Sequence, residues 1–301
     1  MNWTHYLPEH IKSEQVEKVI GVISDTHTPS RWPNLPSEVN LIFDGVDLIL
    51  HAGDVGKLWV LDKLSHIAPV VAVHGNDETT EATEQLPYQQ LISIAGRRIL
   101  LWHSHFPDRK EEMAFRAVDD KWNRILNRNV ERAKAADAHI LIYGHTHVPM
   151  VTQREGVLIL NSGAIAAGTF WARQMKTVML LFLCKDGSNA VSHIDLSQPE
   201  APFELNVDLE QPYSSAMHLF QTPFIDPIPT LPNFSKYKDT SQLLPMYQQL
   251  IGPYVWGTKQ HETLYLSQFS ADLTAYDGLH PADKAIILEA LEKSMKTPDE
   301  S

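Results

Sequence analysis

The chain has 301 residues, 43% apolar and 21% charged, which excludes a disordered polymer and allows a sizeable core in one or two domains. Its 25 Lys and Arg against 37 Asp and Glu leave a formal charge of −12, which argues against broad binding to nucleic acid or anionic membranes. The one cysteine, Cys184, excludes an internal disulfide and a thiolate zinc site; it falls in an apolar run and reads as an inert buried thiol.

Residues 1–18 are polar and carry no apolar signal core, and no stretch approaches bilayer-spanning length, so a cytoplasmic setting is expected. Val19–Ser24 is the first buried strand and ends in Asp25-Thr26-His27. A loop with Pro29, Pro33 and Pro36 leads to a helix over about 37–44. Asp47–Leu50 is the second strand, ending in His51-Ala52-Gly53-Asp54, and a helix over about 57–66 follows. Pro69–Val73 is the third strand, ending in His74-Gly75-Asn76-Asp77. Strands alternating with helices indicate a layered α/β fold.

Leu91–Ile94 and Arg98–Trp102 form a hairpin around Ala95-Gly96-Arg97, and its second arm ends in His103-Ser104-His105. Arg97 and Arg98 read as solvated turn charges. A helix over about 110–136 follows, with Ala114, Val118, Ile125 and Val130 near one apolar stripe. It starts directly after a candidate ligand, so Arg109, Lys110 or Arg116 is placed to touch an anionic substrate, although a solvated helix face is the equal alternative. The apolar run His139–Ile142 then leads into Tyr143-Gly144-His145-Thr146-His147, where two imidazoles in a turn can face one point. Val157–Leu160 leads to the tight turn Asn161-Ser162-Gly163, and Thr177–Cys184 with Ala190–Leu196 forms a closing hairpin.

Composition shifts near residue 198. Nine of the 19 prolines lie between Gln198 and Pro253, among them Pro223, Pro227, Pro229 and Pro232, which excludes regular helix or central strand there. The expected organisation is a domain over 1–197 and a C-terminal extension over 198–301, made of a Pro-rich strap plus helices. A last helix is expected from Pro281, carrying Ile286, Ile287, Leu291 and Met295.

Collected, the strand-end residues are Asp25, His27, Asp54, Asn76, His103, His145 and His147. Two carboxylates, four imidazoles and an amide suit divalent ions such as Mn²⁺, Fe, Zn²⁺, Mg²⁺ or Ni²⁺ rather than soft metals. Seven donors are too many for one tetrahedral ion and enough for two ions with open positions. Isolated His5, His66, His193 and His218 read as surface or satisfied core histidines, and His139 as structural.

The order Asp-x-His, Gly-Asp, Gly-Asn, His, Gly-His-x-His, with each element ending an apolar strand, resembles the calcineurin-like metallophosphoesterase superfamily over about residues 19–196. Short loops and the form His51-Ala52-Gly53-Asp54 are most similar to its small bacterial and archaeal phosphodiesterase branch. The resemblance implies a four-layer β-sandwich flanked by helices. It also implies that Asp25, His27 and His147 hold one metal, that Asn76, His103 and His145 hold a second, and that Asp54 bridges them. Manganese is the first choice of ion. A hydroxide between two such ions would attack a phosphate ester, most consistent with a small phosphodiester. His51 is then a partner of Asp54 or an adjacent ligand.

Two departures stand out. Many superfamily members follow Gly-Asn with a histidine that protonates the leaving group, whereas Asp77 and Glu78 follow here. His74, Asp77 and His105 are the remaining protein candidates for a general acid, beside metal-bound water. Ser104 occupies a position where this branch usually has glycine. Two alternatives stand beside the phosphodiesterase: a non-catalytic or weakly catalytic metal-binding interaction subunit on the same scaffold, and a nuclease, which the acidic charge disfavours. A homo-oligomer is compatible with all of them.

Overall fold

The computed structural model describes residues 2–30, 33–116, 121–166, 175–203, 205, 245–246, 248–255, 259, 264 and 266–295. The described part of the Pro-rich strap is therefore small, and Pro223, Pro227, Pro229 and Pro232 lie outside it. The chain divides into one compact unit of Met1–Ala166 with Met175–Leu219 and another of Ala167–Gln174 with Phe220–Ser301.

The first unit carries two five-stranded sheets. One is built from β1 (Val16–Ile23), β2 (Leu48–His51), β3 (Val70–Ala72), β9 (Thr177–Cys184) and β10 (Asn189–Asp195), in the order β10-β9-β1-β2-β3. The other holds β4 (Gln89–Ile94), β5 (Arg97–Trp102), β6 (Ile140–Tyr143), β7 (Met150–Arg154) and β8 (Val157–Asn161), in the order β4-β5-β6-β8-β7. Strands β1, β2 and β3 run parallel, as do β5, β6 and β8, so their C-terminal ends gather at common edges. Candidate ligands at strand ends gather there for the same reason.

Alternation along the strands sets the layers. Along β9, Val178, Leu180 and Phe182 face a core shared with α1 (Glu38–Ile42) and α2 (Trp59–Ser65). Met179, Leu181 and Leu183 point the other way, into a core with Ile99, Leu101, Ile140, Ile142 and Leu160 of the second sheet. A strand buried on both faces reads as a continuous apolar run, as β9 does. On its far side the second sheet packs against α5 (Lys121–Ala135), which buries Leu126, Val130 and Ala133. The result is the expected helix–sheet–sheet–helix sandwich.

Several local expectations change. The helix expected over 110–136 is described as α4 (Arg109–Arg116) and α5, with 117–120, and so Val118, outside the described residues. Ala114 is exposed, and the apolar residues of the stripe that are buried among the described residues, Leu126, Val130 and Ala133, lie on α5. Helix α3 (Thr80–Gln85), capped by Thr79, and strand β7 were not anticipated. Arg97 is not a solvated charge. It is 8% exposed and donates to the carbonyls of Cys184 and Ser188 in the β9–β10 turn, joining one sheet to the other. Burial against a distant hairpin is invisible to a reading of its own turn. Within the second unit, helices span Leu266–Ala275 and Pro281–Met295; Ile287 is buried as expected, whereas Ile286 is 48% exposed.

Candidate metal centre

The loops after β1 and β2 lie side by side, joined by backbone bonds from Asp25 N–H to Gly53 O and from His27 N–H to Asp54 O. Asp25, His27 and Asp54 are thereby set close together with almost no exposure. His147 Nε2 is 3.1 Å from Asp25 Oδ1. His103 Nε2 is 3.2 Å and His27 Nε2 3.4 Å from Asp54 Oδ2. Among the described residues, two groups have metal-binding spacing: Asp25–His27–His147 and Asp25–Asp54–His103. Asp25 belongs to both, and Asp54 faces one histidine from each.

The donor atoms fit divalent ions. Both ring nitrogens of His27 and Nε2 of His103 are buried with no hydrogen-bond partner among the described residues, although carboxylate oxygens stand close by. An unsatisfied buried polar atom costs about 1–3 kcal/mol, and a cation between these imidazoles and carboxylates would satisfy several at once. His103 is already oriented for that role, because its Nδ1–H donates to Ala52 O at 2.7 Å.

Charge follows the same geometry. Burial would raise Asp25 and Asp54, but His147 and His103 beside Asp25, and His103 and His27 beside Asp54, hold both far below the usual carboxylate range. Burial opposes charge on His103, yet Asp54 and Asp25 outweigh it and push His103 up to about 9. A proton on His103 thus does the neutralising that a cation would do. His105 goes the other way: burial, then the neighbouring His103, lowers it to about 3, so it is neutral at pH 7.

The backbone is shaped around these contacts. Asp25, His27, Asp54, Ser104, His145 and His147 all have positive φ, between 44° and 73°. Such conformations are uncommon outside glycine and persist only where surroundings enforce them. At Ser104 φ is 73°, in the left-handed region that favours glycine, and its hydroxyl donates to Asn129 on α5. Gly75 is needed for close approach: a Cβ there would lie 2.0 Å from Asp54 Oδ1.

Asn76 is exposed, between Gly75 and Asp77, and the Asp77 N–H donates to Asp54 Oδ1 at 2.8 Å. Asp77 Oδ2 also lies 3.2 Å from His27 Nδ1. His74 Nδ1–H donates to Gly75 O, and its ring lies 5.6 Å from that of His105. His145 is placed differently from the other histidines. Its N–H donates to Asp25, but its Nε2 is 2.7 Å from Glu112 Oε1 on α4. His51 is a brace: Nδ1 accepts from Gly53 N–H and Nε2–H donates to Thr26 Oγ1, whose own proton goes to Val55 O. Burial lowers His51 to about 3, so it is neutral, with both nitrogens engaged.

Sequence reasoning missed four side chains. Glu78 accepts the N–H groups of Val55, Gly56 and Gly75, tying the Asp54 loop to the Asn76 loop. Arg128 donates to Ser104 O and His105 O while lying over Phe106 and Trp102. Asn129 holds Ser104, and Glu112 holds His145. Only Glu78 had a sequence signal, its position directly after the Gly-Asn turn. Lys110 is exposed, and the side chains of Arg109 and Arg116 lie outside the description. The Asn161 turn is also close: Nδ2 donates to Gly144 O and Thr146 Oγ1.

A family model described as the calcineurin-like phosphoesterase superfamily domain matches residues 19–186. A probable metallophosphoesterase of Methanothermobacter thermautotrophicus is 34% identical over 146 residues, 48% of this chain and 76% of that protein. A phosphodiesterase of Methanocaldococcus jannaschii is 23% identical over 146 residues, 48% of this chain and 82% of that protein. Among solved structures, vacuolar protein sorting 29 of Cryptosporidium parvum aligns with TM-score 0.45 and 21% identity, over 58% of this chain and 96% of that one. The chain belongs to the calcineurin-like phosphoesterase superfamily.

Proposed function

We propose that this superfamily member is a dinuclear, metal-dependent phosphodiesterase. Asp25, His27 and His147 would hold one divalent ion, Asn76, His103 and His145 a second, and Asp54 would be shared. The observation that carries the reading is the pair of buried carboxylates, Asp25 and Asp54, faced by both ring nitrogens of His27 and by Nε2 of His103, which make no hydrogen bond among the described residues. Manganese is the first candidate, with Fe, Zn²⁺, Mg²⁺ and Ni²⁺ suited to the same oxygen and nitrogen donors.

When bound, the two ions supply Lewis acidity, lowering the pKa of a coordinated water towards neutrality and offsetting charge on the phosphate oxygens. The chain's residues arrange everything else. Ala52 O orients His103, and the Gly53 and Asp54 carbonyls hold the Asp25–His27 loop. Asp77, about half exposed and anchored by its N–H to Asp54, is placed at the rim to pass a proton to or from a leaving oxygen. Neutral His105 has no imidazolium proton to give at pH 7. Arg128 lines the cavity beside His145, but its guanidinium is engaged with two carbonyls. That leaves it poorly placed for a dianionic monoester and favours a monoanionic diester. The reading includes a small phosphate ester as partner, a cytoplasmic setting, and residues 1–197 as the catalytic domain with 198–301 as an extension.

The test is to load the protein with Mn²⁺, count ions per chain and compare bis-p-nitrophenyl phosphate with p-nitrophenyl phosphate. Two ions and faster cleavage of the diester are expected. Turnover of neither substrate by the two-ion protein would overturn the reading in favour of an interaction subunit.

A further inference from the structure

The carboxylate of Glu112 is 2% exposed, on a helix otherwise rich in exposed charge, and meets His145 Nε2 at 2.7 Å. The other imidazole–carboxylate pairs of the centre have the same form: 3.1 Å for His147–Asp25, 3.2 Å for His103–Asp54 and 3.4 Å for His27–Asp54. The His145 ring lies 5.0 Å from that of His103, whose buried Nε2 has no partner. Adjacent donors on one octahedral ion, each at about 2.1 Å, are about 3 Å apart. The Glu112–His145 pair has the spacing of two adjacent donors on one cation, while among the described residues no third carboxylate or imidazole lies within metal-binding distance of both.

We propose that Glu112 is a further carboxylate ligand of the metal centre, delivered by α4 to the His103–His145 end. The inference rests on the phosphoesterase reading and adds to its seven ligands. Without Glu112 that end has an amide, two imidazoles and a share of Asp54. With it, the end gains a full negative charge and a hard oxygen donor, which draws Mn²⁺ or Mg²⁺ over softer ions. The added charge also repels a dianionic phosphate more than a monoanionic one.

The experiment is calorimetric Mn²⁺ titration with a metal count, on wild type and on Glu112→Gln. The amide oxygen of Gln still accepts a proton from His145 Nε2 but is a poor ligand. Wild type should bind two ions. Glu112→Gln should bind the first ion with an unchanged constant and the second at least about tenfold more weakly, with unchanged circular dichroism in EDTA. Two ions bound to Glu112→Gln with wild-type constants would overturn the inference and leave the phosphoesterase reading standing. Fewer than two ions on wild type would overturn both. If Glu112→Gln does not fold, Glu112→Asp is titrated instead. Its shorter carboxylate should also weaken only the second ion, and unchanged constants would overturn the inference.

Discussion

The two ends of the candidate centre are held by different means. Asp25, His27 and Asp54 sit on loops bonded to each other through main-chain groups, with Ala166 N–H closing on Asp25 O. At the other end the His103 ring rests on Ala52 O, but Ser104, His105 and His145 are held by side chains from α4 and α5: Arg128 on two carbonyls, Asn129 on Ser104 and Glu112 on His145. Main-chain bracing survives nearly any substitution, whereas side-chain bracing fails one residue at a time. The first end should therefore be rigid, and the second tunable from α4 and α5.

Asp54 faces both ends, so Asp54→Asn tests whether they act together. It should lower kcat by roughly a thousandfold or more while removing ions from both ends, because it takes away shared electrostatic stabilisation. Loss of only one ion in a metal count would show the ends to be independent. Arg128→Ala attacks the second end alone. Two carbonyls lose donors and the stacking on Phe106 and Trp102 goes, a cost of about 2–3 kcal/mol in urea unfolding. Ion binding at Asp25–His27–His147 should be unchanged, and a parallel loss there would break the comparison.

His103 makes the centre respond to pH. The folded protein raises His103 to about 9, above the ordinary histidine value of about 6.5. Its contribution is then fully present below about pH 6.5 and fades as pH rises through about 9. In EDTA, stability should therefore decline over that window. Mn²⁺ affinity should rise over the same window, as cation and proton compete for one nitrogen. A flat stability profile from pH 6.5 to 9 would count against it. The smallest effect is expected for Asn161→Ala, which removes the donor holding Gly144 O and Thr146 Oγ1. It should cost about 1–2 kcal/mol in thermal or urea unfolding with both ions retained.

The same division explains what could be read from sequence. Asp25, His27, Asp54, His103 and His147 each follow an apolar run, and parallel strands carry such ends to one edge, so position along the chain nearly dictates position in space. Glu112 and Arg128 lie on helix faces where one charge in several turns inward, and nothing local marks which. Arg97 shows the same limit: its own turn predicts a solvated charge, while the partner that buries it lies almost ninety residues away.

Six side chains of this region sit on backbone twisted into the left-handed basin, at a cost on the order of 1 kcal/mol each. A short peptide copied from Gly144 to His147 would relax out of that shape as soon as it left its neighbours. Transplanting the centre into another scaffold therefore means carrying the parallel strand ends and their crossing main-chain bonds with it, because the motif alone does not hold its own conformation.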